Sequence, residues 1–181
     1  MRVIAGRFKG RRLKAPTWDG LRPTSDKLRE TLFNILAPRL SGARVLDGFA
    51  GTGAVGIEAL SRGASHVTFI EQDRRAAALV AANLAVCGQQ EGYTIQCGDV
   101  AAVLRRLPGD AAFDLVLLDP PYDFESGSVT MMLEVAAGRV TADGLVVLER
   151  ATRRAVSAPF TLGHVRDVRS GDSTLTVFRR A

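Results

Sequence analysis

Val45-Leu46-Asp47-Gly48-Phe49-Ala50-Gly51-Thr52-Gly53-Ala54-Val55-Gly56 begins as a short apolar strand and ends as the first turn of a helix. Gly51, Gly53 and Gly56 give it the G-x-G-x-x-G spacing of a loop whose backbone closely approaches a nucleotide. On either side the chain alternates between strand-like and helix-like patterns. Strands are expected near 44–47, 66–71, 93–97, 113–118 and 144–149, with helices near 54–62, 73–87, 99–107 and 128–138 between them. Runs such as Phe113-Asp114-Leu115-Val116-Leu117-Leu118 suit central strands covered on both faces. This alternation predicts a doubly wound, mostly parallel α/β sheet of the Rossmann-like kind. The tail differs. Residues 161–168 and 173–180 flank Arg169-Ser170-Gly171-Asp172, and Leu175 and Val177 alternate with Thr174 and Thr176, which predicts an antiparallel hairpin and brings the sheet to seven strands.

Carboxylates at strand ends decide which ligand the loop takes. Glu71 ends the second strand, twenty positions after Gly51, where it can accept hydrogen bonds from both ribose hydroxyls. A dinucleotide site would look similar so far. Asp47 separates the two readings, because a negative charge just before the loop repels a pyrophosphate but attracts the ammonium and sulfonium of S-adenosylmethionine. Asp99, in Gln96-Cys97-Gly98-Asp99, follows the third strand and can accept from the adenine amine; taken singly, Glu71 or Asp99 would read as a helix N-cap. With Gly48, Phe49, Gly51 and Gly53 these residues form the expected cofactor site, and Thr24 is counted with them.

After the fourth strand comes Asp119-Pro120-Pro121-Tyr122. A nucleobase amine has its lone pair delocalised into the ring and offers two N–H donors, so methylating it requires two acceptors aimed at the nitrogen. Asp119 supplies a carboxylate oxygen and Pro120 a backbone carbonyl. Both prolines stiffen the loop and remove competing donors, and Tyr122 can stack on the extruded base. The expected reaction is direct in-line displacement, which rests on alignment and requires no metal.

The 181 residues, 46% hydrophobic and 24% charged, suit a single globular domain. No apolar stretch reaches the roughly 18 residues of a membrane span and no signal-peptide pattern opens the chain, so a soluble cytoplasmic protein is expected. Cys87 and Cys97 form no CxxC pair and read as small buried filler. His66 and His164 are isolated and read as structural. The net charge of +5 is unevenly spread: residues 1–44 hold eleven basic and three acidic side chains, a balance of +8, and the remainder balances to −3. Val3-Ile4-Ala5 and Leu13 flank turns at Gly6 and Gly10, so residues 1–21 are expected to form a basic β-ribbon arm and residues 22–181 the catalytic domain. Arg2, Arg7, Lys9, Arg11, Arg12, Lys14 and Arg22 would meet a polyanionic partner, with Phe8 able to stack on an unpaired base; on charge alone a solvated basic tail fits equally well. Beyond the arm, Thr24 or Ser25 is the expected N-cap of a helix with Leu28, Leu32, Ile35 and Leu36 on its buried face, ended by Pro38.

Arg22-Pro23-Thr24, Arg29-Glu30-Thr31-Leu32-Phe33-Asn34, Asp47 to Gly53, Gly56-Ile57-Glu58-Ala59-Leu60-Ser61-Arg62-Gly63-Ala64 and Asp119-Pro120-Pro121-Tyr122 together resemble the bacterial 16S rRNA (guanine-966 N2)-methyltransferases. The similarity runs over essentially the whole chain, including the Gly171-Asp172-Ser173 turn. Asp-Pro-Pro-Tyr is shared with other amino-methyltransferases, whereas the Arg-Pro-Thr and Leu-Phe-Asn block is more specific. The resemblance implies a class I methyltransferase fold, S-adenosylmethionine as cofactor, and a guanine of 16S rRNA in an assembling small subunit as substrate, with a monomer expected. Gly48 stands where the family often has a larger apolar residue, and a looser loop is expected there. Three other readings compete: an adenine N6-methyltransferase, a non-catalytic RNA-binding module and a nicotinamide-dependent oxidoreductase. The first usually needs a separate target-recognition region, for which this chain has no room. The second has no use for all four carboxylates, and the third is disfavoured by Asp47.

Overall fold

The computed structural model describes residues 1–19, 24–109 and 112–181. Among these, seven strands form one sheet: β1 (Arg44–Gly48), β2 (His66–Glu71), β3 (Tyr93–Cys97), β4 (Phe113–Leu118), β5 (Val140–Ala151), β6 (Leu162–Ser170) and β7 (Ser173–Arg180). The helices are α1 (Asp26–Leu36), α2 (Ala54–Ser61), α3 (Arg74–Cys87), α4 (Val100–Arg106) and α5 (Ser126–Ala137). Strand order is β3-β2-β1-β4-β5-β7-β6, parallel from β3 through β5 and antiparallel on both sides of β7. The order reverses between β1 and β4, which opens a crevice at their C-terminal ends. The fold is thus the doubly wound sheet with an antiparallel hairpin that the sequence predicts. β5 begins earlier than expected, at Val140, and the β4–β5 register shifts between Phe113 and Leu115 to accommodate it.

Successive side chains of a strand face opposite sides, and here both sides are covered. Val45, Val67, Phe69, Leu115 and Leu117 pack with α1, α2 and α3, through residues such as Phe33, Ile57 and Leu84. Leu46, Ile70, Val116, Leu118 and Leu148 pack on the other side with α4 and α5, through Leu104, Met132 and Leu133. Ser25 caps α1, its hydroxyl accepting the Leu28 N–H at 3.2 Å, and a 3₁₀ turn containing Pro38 ends that helix.

The N-terminal segment lies on this body. Its ribbon is short, a single antiparallel bridge between Arg2 and Arg12. The Ile4 and Ala5 N–H groups donate to the buried Glu58 carboxylate at 2.7 and 2.9 Å, Phe8 N–H donates to Ser61 Oγ at 3.0 Å, and Lys14 N–H to Asn83 Oδ1 at 2.7 Å. Gly6 is required where the segment meets α2: it has φ +78°, and an added Cβ would fall 1.8 Å from the Ser61 carbonyl oxygen. Val3, Phe8 and Leu13 join the core beside α1 and α2. Phe8 is therefore no stacking platform for a base. Tethering of the flanking backbone to Ser61 turns its ring inward, where it is 7% exposed.

Two smaller expectations are corrected. The loop is not loosened at Gly48, because Leu118 and Val100 fill the space, the nearest atom only 2.8 Å from where a Cβ would stand. Cys87 is buried as expected, but Cys97 is exposed at the end of β3, which pairs with β2 alone.

Candidate active site

The crevice at the β1/β4 reversal is a cavity of about 580 Å³, within the range of small-ligand sites. Asp47, Phe49, Gly51, Glu71, Asp119 and Tyr122 all line it, and so does Thr24. The glycine loop is shaped by backbone geometry. Gly51 and Gly53 have φ of +55° and +77°, and Phe49 has φ +64°, the one positive-φ residue other than glycine among those described. An aromatic residue held in the left-handed region is strained, and such strain concentrates at functional loops. The Phe49 ring meets Phe124 edge-on, at 5.6 Å between centroids. Gly56 lets α2 lie close on the sheet, since a Cβ there would fall 2.3 Å from the Phe69 ring.

The carboxylates hold this geometry. Asp47 Oδ2 accepts the Gly56 N–H at 2.8 Å, and Glu71 bridges the Gly51 N–H at 2.8 Å and the Asp73 N–H at 2.9 Å. Each oxygen retains a second lone pair for a ligand. Asp47 is almost completely enclosed, and burial pushes its pKa up to about 8; the Gly56 hydrogen bond opposes this, while the negative charges of Asp119 and Glu71 add to it. Burial first, and the two neighbouring carboxylates after it, disfavour ionised Asp47, and a cationic ligand beside it favours that form. Thr24 Oγ1 donates to Asp119 Oδ2 at 3.0 Å, fixing that carboxylate beside the buried Pro120.

Asp99 is placed differently from expectation. It caps α4, accepting the Ala102 N–H at 2.8 Å, and is not among the residues that line the cavity. The simple capping role considered for it is the one observed. Arg2, Arg7, Lys9, Arg11, Arg12 and Lys14 are all exposed, whereas Arg22 lies outside the described residues. Arg7 donates to Gln89 Oε1 at 2.8 Å with its guanidinium over the Phe8 ring, and Arg11 donates to the Val86 carbonyl at 2.8 Å, so both are held against α3 and the turn after it. His66 shares a 3.1 Å hydrogen bond with Thr94, and His164 one of 3.2 Å with Asp167; neither lines the cavity.

Sequence reasoning missed Glu149, Ser173, Trp18 and Arg75, which also line the cavity. Trp18 stacks under the Arg75 guanidinium at 5.0 Å, beside Glu71. Glu149 had a legible signal, since it sits near the end of a parallel strand like the other carboxylates. Ser173 stood only in the Gly171-Asp172-Ser173 turn of the resemblance, with no role, and Trp18 had no signal, because only tertiary contact brings them to the site.

The family model described as Conserved hypothetical protein 95 matches residues 1–179. A ribosomal RNA small subunit methyltransferase D of Haemophilus influenzae is 35% identical, covering 88% of this chain and 83% of that protein. Its namesake in Escherichia coli K12 is 40% identical over 67% of this chain and 60% of that one. Among solved structures, one from Escherichia coli is 32% identical, with TM-score 0.86 over 99% of this chain and 97% of that one. A more distant protein solved with SAH, 17% identical, shares the fold with TM-score 0.65 over 83% of this chain and 49% of that one. The match over residues 1–179 and these relatives place the chain in the family of Conserved hypothetical protein 95, and hence among the relatives of the ribosomal RNA small subunit methyltransferases D.

Proposed function

We propose that the chain transfers a methyl group from S-adenosylmethionine to the exocyclic N2 amine of a guanine in small-subunit rRNA. The observation that carries this reading is the meeting, in one cavity, of an electrically frustrated Asp47, the glycine loop and the Asp119-Pro120-Pro121-Tyr122 turn. The donor set suits the cofactor: Asp47, raised by burial and by two like charges, gains from an ammonium, and Glu71 faces the loop where ribose hydroxyls need acceptors. When bound, the cofactor supplies an electrophilic methyl group on a positively charged sulfur. Asp119 and the Pro120 carbonyl accept the two N–H donors of the substrate amine and direct its lone pair. Thr24 keeps the Asp119 carboxylate oriented. Tyr122 covers the face of the base, and after transfer the nitrogen sheds one proton to Asp119 or to water.

The exposed cations of residues 2–14 supply a docking face for RNA phosphates. No helix among the described residues is long and apolar enough to cross a membrane. We take the protein to be a cytoplasmic monomer that meets an assembling small subunit. The test is labelled methyl transfer to small-subunit particles from cells lacking this protein, followed by mapping of the modified nucleotide. N2-methylguanine in the small-subunit rRNA is expected. N6-methyladenine, or no labelled rRNA, overturns the reading.

A further inference from the structure

Two features of the cavity are not used by the mechanism above: the Glu149 carboxylate and the turn that precedes β7. Leu118 of β4 pairs with Leu148 of β5, so the next residues, Asp119 just past β4 and Glu149 still within β5, lie side by side. Both line the same cavity, and Glu149 is 8% exposed. The turn at Gly171, which has φ +61°, delivers Ser173 to this point. Ser173 Oγ donates to Glu149 Oε1 at 3.0 Å and lies 2.9 Å from the Tyr122 hydroxyl. A serine hydroxyl has one proton, so Tyr122 donates to Ser173 and Ser173 to Glu149. The chain of hydrogen bonds ties the Tyr122 ring to the carboxylate that neighbours Asp119.

We infer that Glu149 reads the substrate base by accepting the ring N1–H of guanine, while Asp119 and Pro120 hold the neighbouring 2-amine; this rests on the guanine reading above. Guanine presents N1–H and the 2-amine as adjacent donors on one edge, which two side-by-side carboxylates match. Adenine presents a bare ring N1 beside its 6-amine, and Glu149 would face that lone pair with its own. A buried acceptor left facing another acceptor loses its hydrogen bond and gains repulsion, so adenine is refused although its amine has the same chemistry. Ser173 is a positioning residue here, since it fixes the carboxylate without touching the substrate.

The probe is 2-aminopurine, which keeps the 2-amine but has no N1–H. Small-subunit particles are reconstituted with rRNA carrying guanine or 2-aminopurine at the mapped target, and kcat/KM is measured on each. Wild type is expected to prefer guanine by about 100-fold or more, as sites built around a buried hydrogen bond do. Glu149→Gln, whose amide can donate to a bare N1, is expected to reduce that preference at least tenfold, with a cooperative melting transition showing that it folds. An unchanged preference in Glu149→Gln overturns the inference. So does wild-type turnover of 2-aminopurine equal to that of guanine, a result that needs no variant. If mapping shows a product other than N2-methylguanine, the guanine reading itself has failed, and the mapping reveals this before any comparison of bases.

Discussion

In residues 1–14 the backbone amides of Ile4, Ala5, Phe8 and Lys14 bond to the body while six cations stay in water. At the strand ends, carboxylates are drawn inward, and Asp47 and Glu71 spend hydrogen bonds on the amides of Gly56 and Gly51. The first region is anchored mainly through its backbone, with its charges at the surface; the second draws carboxylates toward the interior, where burial disfavours ionised Asp47. A surface built the first way can lose its charges without unfolding. A cavity built the second way resists ionising Asp47 until a cationic ligand arrives, which is a common cost of function.

The largest effect should come from removing the carboxylate beside the substrate amine. Asp119→Ala is expected to lower methyl transfer on the order of 10³-fold while leaving cofactor affinity nearly unchanged by calorimetry, the scale seen when a preorganised polar group at a reacting centre is removed. Retained turnover removes Asp119 from the mechanism.

Asp47 comes next and carries a pH signature. Its folded-state pKa is raised to about 8 from an ordinary 3.8, so the folded protein holds a proton that the unfolded chain releases. This group's contribution to stability is complete below about pH 4 and is lost as pH rises through about 8. A cationic ligand requires the ionised form, so cofactor affinity should rise by up to about tenfold per pH unit below 8 and then level off. Calorimetry at pH 7 in buffers of different ionisation enthalpy should show proton release on binding. Asp47→Asn should abolish that release, weaken cofactor binding about 100-fold above pH 8, and leave the free protein as stable as wild type or more so. A proton-independent affinity would show that Asp47 is ionised before the ligand binds.

The basic face should respond in salt dependence and not in chemistry. Neutralising Arg7, Lys9, Arg11 and Arg12 together should flatten the log K against log salt slope by roughly 3, at about 0.7–0.9 for each phosphate that no longer meets a cation. Turnover at saturating substrate should stay unchanged. An unchanged slope means the face is only solvated surface.

The smallest effects separate tethering from charge. Gly6→Ala should cost about 1–3 kcal/mol of stability, because a strained φ and a clash with the Ser61 carbonyl arrive together. Gly10→Ala, with φ +83° and open space around it, should cost about 1 kcal/mol. Phe8→Leu should lower the melting temperature slightly and leave RNA affinity unaltered. A drop in affinity with no change in melting would restore a base-stacking role.

The contrast between the two regions also explains what could be read from the sequence. Strands such as Phe113–Leu118 and the Asp47–Gly56 loop are written in local pattern, since apolar runs and glycine spacing act over a few residues. Asp47, Glu71 and Asp119 were legible for the same reason: each ends a recognisable strand. Phe8 was not, because an aromatic between Arg7 and Lys9 looks exposed until Ser61, far away in the chain, fixes the backbone beside it. Asp99 had the right residue type at a strand end, yet its geometry serves α4. Ser173 reaches Tyr122 and Glu149 only through the pairing of β7 with β5.

Helix α2 links the two regions. Its first turn holds Gly56, which donates to Asp47, and its last holds Glu58 and Ser61, which seize the N-terminal segment. Eight residues of α-helix span roughly 12 Å, and both ends are pinned by buried hydrogen bonds. α2 therefore fixes the distance between the exposed cations of the N-terminal segment and the Asp47 end of the cavity. Under the proposed function, a strand of RNA held at one end presents to the other only the nucleotide lying at that distance, so part of target choice becomes a matter of length. One extra helical turn in α2 would lengthen that distance by about 5.4 Å and move the point of modification along the strand.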